Sequence, residues 1–265
     1  MLALLKIEWM KLKHYRTFWI LSVLYLISIF GINYITYRIQ QSIYEAKQAK
    51  GVAELVMGTP PYSFPTVWQM TSYVSSFLLF LPGLLIIISI TNEYSYKTHR
   101  QNIIDGWSRK EFISVKLLLA LIGAAISTIM VFLTAFYFGL LEKNAISFSK
   151  IHYLFYFFIQ ALSYSMVALL FSILFKRGGL AIGVFFLYSI VLENLVGGLL
   201  NRYANYSGRY LPLESTDNLI PLPLFQNVQK QIIEPPNTTA LLIVALVYLI
   251  LYFIGAVRKF RADDL

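Results

Sequence analysis

Long apolar runs alternate with short polar ones along this chain. Six runs reach the roughly 17–25 residues that a membrane-crossing helix needs: Thr17–Tyr37, Tyr73–Thr91, Leu117–Leu141, Ile151–Phe175, Leu180–Leu200 and Thr239–Val257. The pattern predicts an all-α integral membrane protein of six transmembrane helices, with residues 1–265 forming a single domain. The first run does not read as a cleaved signal. It is too long for the apolar part of one, and "GINYITYR" offers no small-residue cleavage site.

Composition agrees with the pattern. Of 265 residues, 58% are hydrophobic and 13% charged, with a mean hydropathy of +0.64; soluble chains are nearer a quarter charged. A net charge of +9 would suit a nucleic-acid binder, but the basic residues flank apolar runs and form no basic soluble domain. Cysteine is absent, which excludes disulfides, thiolate metal sites and cysteine nucleophiles. His14, His99 and His152 are too dispersed for a metal-binding spacing.

Lysine and arginine set the expected orientation. With the N-terminus inside, segments 1–16, 92–116, 176–179 and 258–265 hold 14 basic residues in 53 positions. The outer segments 38–72, 142–150 and 201–238 hold 8 in 82. Both termini are therefore expected in the cytoplasm. The inner turn "KRGG" at 176–179 ties two runs into a tight hairpin. "MLALLKIEWMKLKHYR" reads as a basic flank that fixes topology, and lipid-surface contact through its lysines is compatible with that.

The densest charge lies between the second and third runs. "NEYSYKTHRQNIIDGWSRKEFISVK", residues 92–116, carries eight formal charges. Its "SRKE" fits a capping box, with Ser108 as N-cap and Glu111 reaching back to the Ser108 amide. Trp107 and Phe112 occupy the positions of a hydrophobic staple, and Asp105-Gly106 is a turn signal with Gly106 free to take positive φ. Residues 93–104 are expected to be helical as well. The result is a helix, a sharp turn and a second helix, and the first could dock in a cleft of a cytoplasmic partner. A solvated loop that only enforces topology is the alternative.

These residues also carry a resemblance. "NEYSYKTHRQNII" leaving the second run and "GWSRKEFISVK" entering the third resemble the permease subunits of ABC-type transporters, in particular the type-2 (exporter) class that includes bacitracin and lantibiotic-immunity permeases. The family's Glu-Tyr pair falls on Glu93-Tyr94, and its Thr-x-Arg element on Thr98-His99-Arg100. Its Ser-Arg pair falls on Ser108-Arg109, ahead of Ile113 to Lys116. Lys97 stands where that family often has Gly before the Thr. The resemblance implies a cytoplasmic coupling helix within 92–116, with Glu93, Lys97, Thr98, Arg100, Gln101, Asp105, Gly106 and Arg109 facing a separate ATPase subunit. It further implies ATP and Mg bound on that subunit, a second permease copy (homo- or heterodimer), and multi-pass residence in the bacterial cytoplasmic (inner) membrane. An amphipathic or lipid-like cargo such as a peptide antibiotic would suit the aromatic-rich spans.

Other positions are open to two readings each. Pro82-Gly83 frees a backbone carbonyl and kinks its helix, as a gating hinge or as a static bend. Glu193-Asn194 brings the one acidic residue inside the six runs. It belongs either to a transport pathway or to the outer interface, should the helix end there and Gly197-Gly198 open a re-entrant segment. Gly179-x-x-x-Gly183 and Ala120-x-x-x-Ala124 are small-residue pairs suited to close helix contact. Leu224, Phe225, Val228 and Ile232 fall on one face of a short amphipathic segment. No Walker A, zincin helix or Ser-His-Asp arrangement occurs, so the chain is expected to be non-catalytic and to bind no cofactor or metal itself. An intramembrane enzyme acting on lipid or peptide, or a non-transporting membrane anchor or sensor, are the rival readings.

Overall fold

Four of the six apolar runs extend into helices longer than their hydropathy marks; the fourth run is matched by its helix, and the second is split into two. The computed structural model describes residues 2–45, 60–224 and 236–262. Helix α1 (Leu2–Lys13) is followed by α2 (Arg16–Glu45), α3 (Val67–Ser76), α4 (Phe80–Ser95) and the short α5 (Thr98–Ile104). Then come α6 (Arg109–Leu141), α7 (His152–Phe175), α8 (Gly178–Tyr203), a four-residue α9 (Glu214–Asp217) and α10 (Thr238–Ala262). No strand occurs among the described residues. Five helices (α2, α6, α7, α8 and α10) are each long and apolar enough to cross a membrane, and the pair α3–α4 passes the same test taken together. This is a multi-pass membrane protein.

Helix α7 is the hub. Of its most apolar stretch 72% is buried, against 17–28% for the other four long helices. Small and hydroxylated residues make that burial possible: Ala161, Ser165, Ala168 and Ser172 let neighbours approach closely. The hydroxyls of Ser165 and Ser172 donate back to the carbonyls of Ala161 and Ala168 (2.8 and 2.6 Å), so neither of these two is stranded. The outer faces of the other helices carry exposed Ile, Leu and Val, as expected of surfaces that meet lipid.

Pro82 breaks the second apolar run, but the break lies upstream of the proline. Helices α3 and α4 meet at residues 77–79 with a 45° bend. A proline ring clashes with the carbonyl four residues before it, here that of Leu78. Pro82 therefore occupies the first turn of α4, where its missing N–H is tolerated. Gly83 serves packing: a Cβ there would lie 2.5 Å from the Phe185 ring of α8. The run also begins earlier than its hydropathy suggests. Tyr62 and Trp68 are fully buried, and the Trp68 indole donates to the Ser147 carbonyl (2.8 Å).

Two small-residue pairs behave differently. Ala120 and Ala124 are buried in the bundle. Gly179 and Gly183 are exposed and meet no neighbouring side chain among the described residues, while Ala181 and Phe185 are the buried residues of that stretch. The close packing expected of Gly179 and Gly183 does not occur among the described residues. The "KRGG" turn is as tight as expected, with Lys176 in the left-handed conformation. Residues 225–235 lie outside the described residues, and with them the expected face of Phe225, Val228 and Ile232.

Candidate functional site

Polar chemistry gathers at the two ends of the bundle. At one end meet α1, the α4–α5 corner, the start of α6 and the end of α10. Asp105-Gly106 makes the expected turn, with Gly106 at φ 99°. Ser108 and Glu111 form the expected capping box: the Ser108 hydroxyl accepts from the Glu111 amide (3.2 Å), and the Glu111 carboxylate accepts from the Ser108 amide (2.9 Å). Trp107 packs on the apolar cluster that buries Phe112.

Helix α5 follows α4 after a break in the helix at Lys97 and packs against it. Lys97 supplies the turn at φ 56°, a left-handed conformation that glycine adopts without strain. On the inner side His99 and Asn102 are buried; His99 Nδ1 lies 2.9 Å from the Glu93 carbonyl and its ring packs on Tyr94. Lys97, Arg100, Gln101, Ile104 and Asp105 are exposed, and Ile104 and the neighbouring Tyr96 are each at least 75% exposed. Gln101 donates to Asp105 (2.9 Å), and Thr98 is half-buried.

Two of the residues grouped with this surface face elsewhere. Arg109 donates to the carbonyls of Phe260 and Arg261, where its positive charge meets the negative end of α10. Glu93 is buried and belongs to an ion cluster. Lys116, also buried, pairs with Glu93 (2.6 Å) and with Glu8 of α1, while Lys11 pairs with Glu8 (3.0 Å) and Glu93 (3.2 Å). Burial would raise the Glu8 carboxyl, but Lys116 and Lys11 outweigh it and hold the group below the ordinary value of 4.5. The N-terminal segment is therefore more than a basic flank. Its single glutamate fastens α1 to the roots of α4 and α6.

The other end holds Glu193. The helix does not stop there: α8 runs on to Tyr203, with Gly197 and Gly198 inside it, so the expected termination and re-entrant segment are corrected. A third glycine, Gly208, brings a loop onto this stretch of helix. A Cβ on Gly208 would lie 2.2 Å from the Gly197 carbonyl oxygen, so the turn Ser207–Tyr210 sits directly on the α8 backbone. A widened π-helical turn, Leu187–Leu192, precedes Glu193, and Asn194 donates to the carbonyls of Ser189 and Ile190 (3.2 Å each). Glu193 is buried, and its carboxylate accepts the N–H groups of Leu213 and Glu214 (3.1 Å for the latter). It thereby caps α9 from a neighbouring helix, much as an acidic N-cap does from its own. Asp217 follows, accepting from Gln160 (2.8 Å) and Tyr164 (3.1 Å) of α7.

Glu8, Asp217, Gln160 and Tyr164 were not singled out from sequence. Lys116 entered only as the last residue of the resembling motif, and its burial had one further signal, a lone charge between Val115 and Leu117 at the mouth of an apolar run. Among the described residues, no group of His, Cys, Asp and Glu is placed to hold a metal ion.

Residues 34–265 match a family described as "Protein of unknown function (DUF2705)". The chain belongs to this family. The DUF2705 match takes in Glu93, the whole of α5, Lys116, Glu193 and Asp217; it leaves out α1, and with it Glu8 and Lys11. Comparison with curated proteins gives no match.

Proposed function

We propose that this chain is the membrane-spanning permease subunit of an ATP-driven, ABC-type transporter. In this reading α3–α4 is one broken span, making six, and both termini lie in the cytoplasm with α5 as the helix that receives an ATPase subunit. The observation that carries the reading is the free face of α5. Lys97, Arg100, Gln101 and Ile104 recur at helical spacing on its exposed side, while His99 and Asn102 fasten the other. A loop that only held orientation would need the charge but no rigid mounting. An exposed Ile104 and Tyr96 between cations suit an acidic-rimmed, apolar-floored cleft. The left-handed Lys97 adds support, because it occupies the position where the resembling permeases often have glycine.

The working unit in this reading is two permease chains, identical or sister, with two ATPase subunits that bind ATP and Mg. Its place is the bacterial cytoplasmic membrane, and its action is export of an amphipathic or lipid-like compound such as a peptide antibiotic.

Arg100→Glu tests the reading. Arg109, Lys110 and Lys116 remain to hold the segment inside, so insertion is expected to persist. A charge-assisted contact contributes about 1.5–3 kcal/mol, so docking of the ATPase subunit is expected to weaken by about 10–150-fold. Substrate-stimulated ATP hydrolysis in the reconstituted complex falls with it. Unchanged docking and stimulation would reject α5 as the receiving helix.

A further inference from the structure

At the end of the bundle away from α5 lies a cavity of about 1100 Å³, at the upper limit of pockets that enclose small organic molecules. Part of its wall is aromatic and aliphatic: Tyr73, Phe77, Phe80, Tyr153 and Leu222. The rest is polar and acidic. Glu214 and Asp217 line it, while Glu193 stands behind them on the backbone amides of Leu213 and Glu214. Arg209, on the rim, has its guanidinium 4.5 Å from the centre of the Tyr206 ring.

The carboxylates alone would not name a ligand, but Gln160 adds a second observation. Its side chain lines the cavity at 2% exposure and donates through Nε2 to Asp217. Its carbonyl oxygen Oε1 has no hydrogen-bond partner among the described residues. A buried acceptor without a donor costs about 1–3 kcal/mol, so the site favours an occupant that brings donors. Three acceptors line the cavity: Gln160 Oε1, the Asp217 carboxylate and the Glu214 carboxylate. A primary ammonium carries three N–H donors and a positive charge; a hydroxyl carries one donor and no charge.

We propose that this cavity binds an amphiphile bearing a protonated primary amine, with its apolar body on the aromatic wall and its ammonium donating to Asp217 and Gln160 Oε1. Protonation of the site follows the same logic. Burial pushes Asp217 up to about 7, with the Gln160 and Tyr164 hydrogen bonds lowering it and Glu214 and Glu193 raising it. Glu214 is likewise raised by burial. The other titratable groups facing Asp217 are Tyr164 of α7, Tyr73 of α3 and Arg209. An ammonium favours the ionised carboxylate, so binding expels a proton wherever Asp217 is neutral. Affinity for the amine therefore rises with pH through about 7.

The inference concerns the chain alone, so its test is separate from the ATPase reading. The full chain in lipid nanodiscs is titrated calorimetrically with phenylbutylamine, phenylbutanol and phenylbutyrate, which share one apolar body and differ in charge. Wild type is expected to bind the amine at least about tenfold more tightly than the alcohol, with the preference growing between about pH 6 and about pH 8. Asp217→Asn is expected to lose both the preference and its pH dependence while still binding the alcohol, which shows the cavity intact. Gln160→Leu removes the waiting acceptor without altering charge, and is expected to weaken the amine severalfold and spare the alcohol. Equal affinities for amine and alcohol in wild type, a preference for phenylbutyrate, or an amine preference that survives Asp217→Asn would each overturn the proposal.

Discussion

Replacing Lys116 by Met probes the buried ion cluster directly. Glu8 is 1% exposed, Lys116 2% and Glu93 5%. With Lys11 the four charges cancel. Methionine is close to lysine in volume, so little is lost in packing, but two buried carboxylates are left sharing Lys11, whose side chain is 31% exposed. Removing one partner from a buried pair costs about 3–5 kcal/mol. The double change Lys116→Met/Glu93→Gln restores neutrality around Glu8 and Lys11, and is expected to recover about 2 kcal/mol, within the range for residues in one network. Equilibrium unfolding in detergent of wild type, both single variants and the double variant gives the coupling. Acid adds a second readout. Glu8 has its carboxyl depressed, so its stabilisation is present above the ordinary 4.5 and is lost as pH falls through the lower, folded value. In Lys116→Met the depression shrinks, so this acid-sensitive contribution is smaller and is exhausted at a higher pH. A single-variant effect under about 1 kcal/mol, as for a surface pair, or strictly additive effects, would refute the cluster.

At Glu193, Gln retains an oxygen for the Leu213 and Glu214 amides, so Glu193→Gln should unfold within about 1 kcal/mol of wild type; Glu193→Leu orphans both donors at about 1–3 kcal/mol each. Thermal unfolding that fails to separate the two would count against the capping role. Gly208→Ala drives a methyl to 2.2 Å from the Gly197 carbonyl oxygen. The turn must shift, at about 1–3 kcal/mol, and an unchanged melting temperature would show that the contact is not tight. Lys97→Gly relieves the left-handed backbone at φ 56° and should stabilise by up to about 1 kcal/mol after the entropy of glycine is offset, whereas Lys97→Val should destabilise; the reverse order in a melting series would contradict the geometry.

Local signals were legible and distant ones were not. Ser108 and Glu111 lie three residues apart, so their capping box could be read from four letters and is present. Gly106 and the "KRGG" turn were similarly local. Glu193 misled because Gly197-Gly198 resembles a helix stop; in the fold both lie inside the helix, and the Ser207–Tyr210 turn sits on the Gly197 carbonyl through Gly208, which no helical pattern reveals. Pro82 correctly marked a bend but not its place, since the clash acts four residues back. The start of α6 at Arg109 was legible from its cap, but the burial of Lys116 further along that helix was not. Its partners are 23 and 108 residues away, and periodicity has no reach over such distances.

That last separation bears on the order in which the molecule can be completed. Glu8 leaves the ribosome 108 residues ahead of Lys116, with α2 and the α3–α4 pair synthesised in between. A nascent chain that ends between α4 and Lys116 holds Glu8 and Glu93 against Lys11 alone, a surplus of one negative charge with no reason to leave water. Only when α6 arrives does a second ammonium neutralise the group and let it close. The first helix of the chain is thus among the later pieces to settle, and chains arrested before Lys116 should leave α1 open to protease attack.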